Sequence, residues 1–260
     1  MGCGGSKEAS HELRQLPARM VVSAPSGGPQ LVPPAYRNAA GRPITHQDFE
    51  LDRSTLIQAL DHMGRYLDSQ GVTVNVVTVG GAVNTIYLRS RRTTHDVDFF
   101  LEDPTSSQHQ VIHEAARSAA RYATANLQAQ LGANWFNNAT QMLMSRAVQQ
   151  RLAKNAFRQN TILHQYRGQR GGIVVYVAPW SYGFCGKLNR LCETNHRSYD
   201  ADDAVTYLHE YLRTAGRQTV SAGEVAKWCH EYGKNVTDAV LSQVNNKYYE
   251  LHGRRVIVRP

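Results

Sequence analysis

The chain has 260 residues, of which 42% are hydrophobic and 19% charged, so it can bury one good core and a second helical lobe. No apolar run approaches the length of a membrane span, which predicts a protein without a transmembrane segment. The formal net charge is +8 and the sequence pI is about 9.4. This basic balance permits an anionic partner such as nucleic acid, a nucleotide or lipid headgroups, and ordinary solvated surface charge explains it equally well.

The cysteines favour a reducing compartment. They form no Cys-x-x-Cys pair and no metal-finger spacing, and no secretory signal precedes them. We therefore predict a cytoplasmic protein without disulfides. The four residues are Cys3, Cys185, Cys192 and Cys229.

The first seven residues match the Met-Gly-x-x-x-Ser pattern for myristoylation of Gly2, with Cys3 placed for palmitoylation. In a eukaryotic cell the pattern predicts a peripheral protein on the cytoplasmic face of a membrane, and in a bacterium it predicts nothing. The residues that follow are rich in Pro, Gly and Ser with little to bury. Residues 1–45 are accordingly predicted to be a disordered tether, acylated at Gly2 and Cys3.

The folded part is predicted to begin with a helix over residues 54–69 and a strand over 72–79, whose β-branched run is typical of a strand buried on both faces. The strand ends at Gly80 and Gly81, which lack the Cβ atoms that would block a ligand. A short helix over 82–88 would direct its free N–H groups at an anion such as a triphosphate. Cations that could face phosphate oxygens follow at Arg89, Arg91 and Arg92.

A second strand is predicted over residues 95–101. Because side chains alternate along a strand, Asp96 and Asp98 would project from one face while Val97 and Phe99 enter the core. Two neighbouring carboxylates repel each other unless a cation neutralises them. Mg²⁺, or Mn²⁺, is the natural cation because it takes one or two carboxylates together with phosphate oxygens and water.

The remaining periodicity predicts helices over residues 106–131 and 138–157, then a hairpin of strands over 161–167 and 172–178. Helices over 181–191 and 200–213 follow. A capping box from Ser221 to Glu224 predicts another helix, and a last helix covers 235–251. We predict a core domain over 46–199 and a C-terminal helical bundle over 200–260.

The segments Val79-Gly80-Gly81 and Asp96-Val97-Asp98 resemble the nucleotidyltransferase superfamily of the DNA polymerase beta type. The stretch Arg92-Thr93-Thr94-His95-Asp96-Val97-Asp98 is most similar to the AbiEii-like toxin branch and its uncharacterised nucleotidyltransferase-like relatives. The resemblance spans about residues 55–213 and implies a mixed α/β (α+β) sheet flanked by helices. It also implies transfer of a nucleoside monophosphate from an NTP to an acceptor hydroxyl on RNA, protein or a small molecule.

The resemblance also implies roles for individual residues. Gly80, Gly81 and Arg92 would bind the nucleotide, Asp96 and Asp98 would bind Mg²⁺, and Lys187 would neutralise phosphate charge. Many superfamily members take a third carboxylate from a later strand, whereas the strand over 172–178 contains none. Asp200 or Asp203 could replace it as a metal ligand or base. Alternatively, the protein is a catalytically inactive binding or regulatory module that is tethered at a membrane.

Overall fold

A computed structural model describes residues 47–259, so the predicted tether with Gly2 and Cys3 lies outside the described residues. Its centre is a five-stranded mixed sheet with the strand order β5-β4-β2-β7-β6. The central strand β2 pairs antiparallel with β4 and parallel with β7, and β6 closes the far edge antiparallel to β7. The predicted mixed α/β architecture is confirmed. The strands are β2 (Thr73–Val79), β4 (Val97–Phe100), β5 (Phe136–Asn137), β6 (Ile162–Arg167) and β7 (Gly172–Val177).

Four further strands of two residues each form two small ladders. β1 (Leu51–Asp52) pairs antiparallel with β3 (Thr93–Thr94), and β8 (Val220–Ser221) pairs parallel with β9 (Ile257–Val258). The first ladder places Leu51 and Asp52 beside the segment that leads into β4. Neither ladder could be predicted from the sequence, because a strand of two residues is too short to show alternating apolar and polar side chains.

Helices surround the sheet and carry most of the remaining chain. They are α1 (Arg53–Ser69), α2 (Gln108–Tyr122), α3 (Arg146–Gln159), α4 (Trp180–Leu191), α5 (Asp200–Thr214), α6 (Ala222–Glu231) and α7 (Asp238–His252). Side-chain caps fix several helix starts: Asp52 accepts a hydrogen bond from Thr55 N at 2.8 Å, and Ser221 accepts one from Glu224 N at 3.1 Å. The predicted helix start at Ser221 is thereby confirmed.

Two predicted helices are interrupted. The first ends before residue 131: α2 passes into a π-helical turn, Ala123–Leu127, and Gln128 stops it with a left-handed backbone at φ 52°. The second is divided into a 3₁₀ turn, Ala139–Leu143, and α3. The division occurs because Ser145 takes an extended backbone and caps α3 by accepting from Val148 N at 3.3 Å.

The buried residues form one continuous cluster that includes the sheet and the C-terminal helices. Phe99 from β4, Leu188 from α4, Leu208 from α5 and Val244 from α7 all belong to it. The C-terminal helices therefore share the core of the sheet. In the part of the chain described, no helix combines the length and apolar character needed to cross a bilayer.

Candidate nucleotide and metal site

The glycine turn lies at the end of the central strand. Gly80 has φ +78°, a backbone region that L side chains rarely adopt. A Cβ atom at Gly80 would lie 3.5 Å from Asp98 Oδ2, and one at Gly81 would overlap the Thr94 side chain. The backbone conformation thus favours glycine at position 80, and the close approach to Thr94 on β3 requires glycine at position 81.

The predicted short helix follows the turn as a π-helical segment, Val83–Leu88. The amides of Val83 and Asn84 donate to Gly80 O at 3.2 and 3.5 Å, so these two N–H groups are already engaged within the chain. Tyr207 from α5 also lies at this turn, with its OH 3.1 Å from Gly80 O. The turn is therefore fixed by the helix that follows it and by α5.

Asp96 and Asp98 lie beside the glycine turn. Asp98 pairs with Val79 across the β2–β4 ladder, and its backbone oxygen accepts a hydrogen bond from Thr78 Oγ1 at 2.8 Å. Asp96 immediately precedes β4. Val97 between them is buried whereas both carboxylates are partly accessible, which confirms that the two aspartates share a face. The carboxamide of Asn137 on β5 donates to Asp96 Oδ2 at 3.3 Å.

Ionisation of both carboxylates of the acidic pair is unfavourable when no cation is bound. Burial and then the Asp96 charge raise the pKa of Asp98 to about 7, from a usual value near 3.8. Burial likewise raises the pKa of Asp96, with the nearby Asp48 carboxylate adding to the effect. The fold therefore disfavours two ionised carboxylates at this position, and a divalent cation would relieve the repulsion.

Two exposed cations, Arg190 and Arg197, lie close enough to the pair for their charges to act on it. The charges of Arg190 and Arg197 both act to lower the pKa of Asp98, against the larger effect of burial. Neither guanidinium forms an ion pair with a residue in the range 47–259. Arg190 follows Lys187 by three residues on α4, so helical spacing from Lys187 was the available signal. Arg197 lies in the loop before α5, three residues before Asp200, and that position in the sequence was its signal.

Lys187, Asp200 and Asp203 meet in a buried network. Lys187 Nζ lies 2.7 Å from Asp200 Oδ1 and 2.7 Å from Asp203 Oδ2. Asp203 also accepts hydrogen bonds from the Arg91 guanidinium and, at 2.7 Å, from Asn84 Nδ2. Although burial opposes it, hydrogen bonds from Lys187 and the backbone of Arg197 lower the pKa of Asp200.

This network engages the carboxylates that were predicted to complete the metal site. Asp200 and Asp203 are 0% and 2% exposed, and each is hydrogen bonded to Lys187. Across residues 47–259, no three His, Cys, Asp or Glu side chains converge as a ligand group for a metal ion. Asp200 and Asp203 therefore do not join Asp96 and Asp98 as further ligands in one group. Arg92, the predicted phosphate ligand, is exposed.

Side chains from β5, the 3₁₀ turn and α4 line the pair on another side. The pKa of Tyr182 is raised to about 12, mainly by burial and to a smaller extent by the charge of Asp98. A hydrogen bond with Thr140 acts in the opposite direction and lowers this pKa. Tyr182 is thus near both Asp98 and the 3₁₀ turn. Met142 and Leu143 on that turn are 57% and 71% exposed. They form an exposed apolar surface on this turn that no sequence pattern predicted.

Comparison with known families supports the resemblance to nucleotidyltransferases. Residues 56–128 match the family model described as nucleotidyl transferase of unknown function (DUF2204). The matched segment includes β2, the glycine turn, Asp96 and Asp98. No curated protein and no solved structure matches the chain.

Proposed function

We propose that the protein is a Mg²⁺-dependent nucleotidyltransferase that moves a nucleoside monophosphate from an NTP to an acceptor hydroxyl. The observation that carries the proposal is the acidic pair Asp96 and Asp98 beside the Gly80 turn, with the pKa of Asp98 raised to about 7. The family match covers these same residues. A structural pair of aspartates would not be expected to retain this repulsion without a ligand.

The residues present fit Mg²⁺. Asp96 and Asp98 offer hard carboxylate oxygens, and Mg²⁺ is typically held by one or two carboxylates with the substrate phosphates and water completing its shell. Two protein ligands therefore suffice. The bound ion would supply positive charge to the phosphates and to the oxygens that attack and leave.

The proposed reaction is an in-line displacement. The acceptor hydroxyl oxygen forms a bond to the α-phosphorus of the NTP, the bond from that phosphorus to the bridging oxygen breaks, and pyrophosphate leaves with the electron pair. The hydroxyl proton passes to solvent, directly or through a carboxylate of the pair. The products are the acceptor carrying the nucleoside monophosphate and pyrophosphate, and no further reactant is needed.

The chain's own residues position and neutralise the nucleotide in this proposal. The Gly80 turn lets phosphate oxygens approach the backbone because no Cβ intervenes. Arg190 and Arg197 are exposed, act electrostatically on Asp98, and offer guanidinium groups for phosphate oxygens. We assign Lys187, Asp200 and Asp203 to the framework that holds α4 and α5 against the turn, because their charges already pair with one another.

The second candidate is a catalytically inactive module that binds nucleotide and serves a regulatory role. It is favoured by one observation: among the described residues no third carboxylate joins Asp96 and Asp98. Both candidates predict binding of Mg²⁺ and NTP at the same place. Only the first predicts release of pyrophosphate.

The experiment that separates them uses the full chain with α-³²P-labelled NTPs and Mg²⁺. Candidate acceptors are total RNA, a protein extract and the chain itself, and pyrophosphate release is measured in parallel. The enzyme predicts transfer that disappears in Asp96→Asn and Asp98→Asn and persists in the exposed control Asp238→Asn. Nucleotide binding without transfer to any acceptor would favour the inactive module, and absence of both binding and transfer would refute the two candidates together.

A further inference from the structure

The positive charge of this chain is concentrated in one segment. Residues 115–192 contain ten Lys and Arg residues and no Asp or Glu, a net charge of +10. The remaining residues contain 19 cations and 21 anions, a net charge of −2. The whole excess of +8 therefore comes from the part of the chain that includes α3 and α4.

Within this segment α3 presents an aligned basic surface, which we call the α3 stripe. Its residues line a shallow depression of about 260 Å³: Ala147, Gln150, Arg151, Lys154, Asn155 and Arg158. The spacing of three and four residues places them on one helix face. Arg151, Lys154 and Arg158 are exposed while Leu152, Ala153 and Ala156 are buried, so the stripe faces solvent.

The stripe connects to the candidate site through a short series of contacts. Arg151 Nη2 donates to Glu231 O at 3.2 Å. The next residue, Tyr232, packs edge-on against Tyr182 at 5.3 Å between ring centroids. Tyr182 in turn lies close enough to Asp98 to feel its charge. The α3 stripe and the acidic pair are therefore linked through the buried Tyr182–Tyr232 pair, and the stripe lies on the surface close to the candidate site.

From this charge distribution and connection we propose that the α3 stripe binds the backbone of a single-stranded RNA, the acceptor of the transferred nucleotide. Guanidinium and ammonium groups in a row neutralise successive phosphates, and the amides of Gln150 and Asn155 offer hydrogen bonds to sugar hydroxyls and base edges. The identity of the acceptor rests on the proposed function, whereas binding to the stripe does not.

The composition of the stripe favours RNA over an anionic membrane. Helices that lie on membranes carry large apolar side chains beside their cations. The α3 stripe has none, since Ala147 is its single apolar member. The exposed Met142 and Leu143 belong to the separate 3₁₀ turn.

The test measures binding of a fluorescein-labelled single-stranded RNA by anisotropy, without NTP or Mg²⁺. The double variant Lys154→Glu, Arg158→Glu should weaken binding at least tenfold. The matched control Arg117→Glu, Arg121→Glu makes the same charge change on the exposed side of α2 and should change the Kd less than threefold. Replacing Lys154 and Arg158 by Gln should lower the slope of log K against log salt by about 1.4, for two lost phosphate contacts.

Several outcomes would overturn the inference. Equal loss in both charge-reversal pairs would mean that only net charge matters. Binding to phosphatidylserine vesicles that depends on Met142 and Leu143, with no binding to RNA, would assign the surface to a membrane. If the wild type binds RNA through the α3 stripe but transfers nucleotide to no acceptor, the proposed function fails and the RNA surface stands.

Discussion

Asp98 lies where two effects oppose its ionisation. Burial and the neighbouring Asp96 charge both act against it, and the Arg190 and Arg197 guanidinium groups only partly compensate. A folded protein that keeps such a group is less stable than it would be with a neutral residue there. The acidic pair is thus a feature that stability alone does not explain.

The variant Asp98→Asn should stabilise the metal-free protein. At pH 8 we expect its free energy of unfolding in urea to exceed that of the wild type by about 2 kcal/mol, because the cost of burying the Asp98 charge and its repulsion with Asp96 are both removed. Saturating Mg²⁺ should stabilise the wild type and leave the variant nearly unchanged. Asp238→Asn, an exposed carboxylate, is the control; a variant no more stable than this control would contradict the argument.

The same pKa gives a pH dependence with a definite sign. The folded state holds the Asp98 proton up to about pH 7, whereas the unfolded chain releases it near pH 3.8. Between these values the folded state binds more protons, so the contribution of Asp98 to stability falls as pH rises from about 4 to about 7. The stability difference between Asp98→Asn and the wild type should be smallest near pH 4 and reach a plateau above pH 7. Urea titrations of both proteins across this range test it, and a constant difference would count against the raised pKa.

Arg190 and Arg197 should contribute to nucleotide affinity. Each is exposed and its charge acts on Asp98, so replacement by Ala should weaken binding of a fluorescent NTP analogue with Mg²⁺ about tenfold. The control is Arg167→Ala, the exposed last residue of β6, at the opposite end of the sheet from Gly80. Unchanged affinity in both site variants would remove these residues from the phosphate site.

At the scale of elements, the sequence was most informative where one residue type dominates. The β-branched run of β2, the glycines that end it and the alternation around Asp98 predicted the centre of the sheet and the face of the pair. These signals are local, since each depends on backbone preferences and on the burial of neighbouring side chains. The structure reproduces them with shifts of one or two residues.

Features that depend on distant contacts could not be read from the sequence. The Asp203 carboxylate accepts hydrogen bonds from Arg91 and Asn84, which lie more than 100 residues earlier in the chain. No local sequence pattern predicts contacts over that separation. Likewise, Arg197 approaches the acidic pair only because a loop returns to it. The break at Ser145 was missed because apolar periodicity continues across it while the capping side chain changes the backbone.

For the network between α4 and α5 we predict that removal of a carboxylate destabilises the protein, whereas removal of the Asp98 carboxylate stabilises it. Asp203→Asn would leave the buried Lys187 and Arg91 with one carboxylate fewer, which should destabilise the protein by about 3 kcal/mol with or without Mg²⁺. Urea unfolding measures this directly. If the variant keeps its stability and instead loses Mg²⁺ binding, Asp203 is a metal ligand, as the sequence resemblance implied.

At the scale of the whole molecule, the predicted boundary at residue 199 crosses dense packing. Asp200 and Asp203 pair with Lys187 on the other side of the boundary, and Tyr207 contacts Gly80 at the candidate site. The apolar core also continues from the sheet into α5 and α7. Helices α5 to α7 thus stabilise the sheet and hold the glycine turn in place.

A fragment ending at residue 199 should therefore not fold independently. Removal of α5 exposes Leu188 and the Lys187 side chain and takes away the partners of Asn84 and Gly80, so the fragment 46–199 should show no cooperative thermal transition by circular dichroism. The control fragment 47–260 keeps every described contact and should unfold like the full chain. A cooperative transition in 46–199 that shifts upward with Mg²⁺ would establish the boundary and show that the acidic pair needs no support from the C-terminal helices.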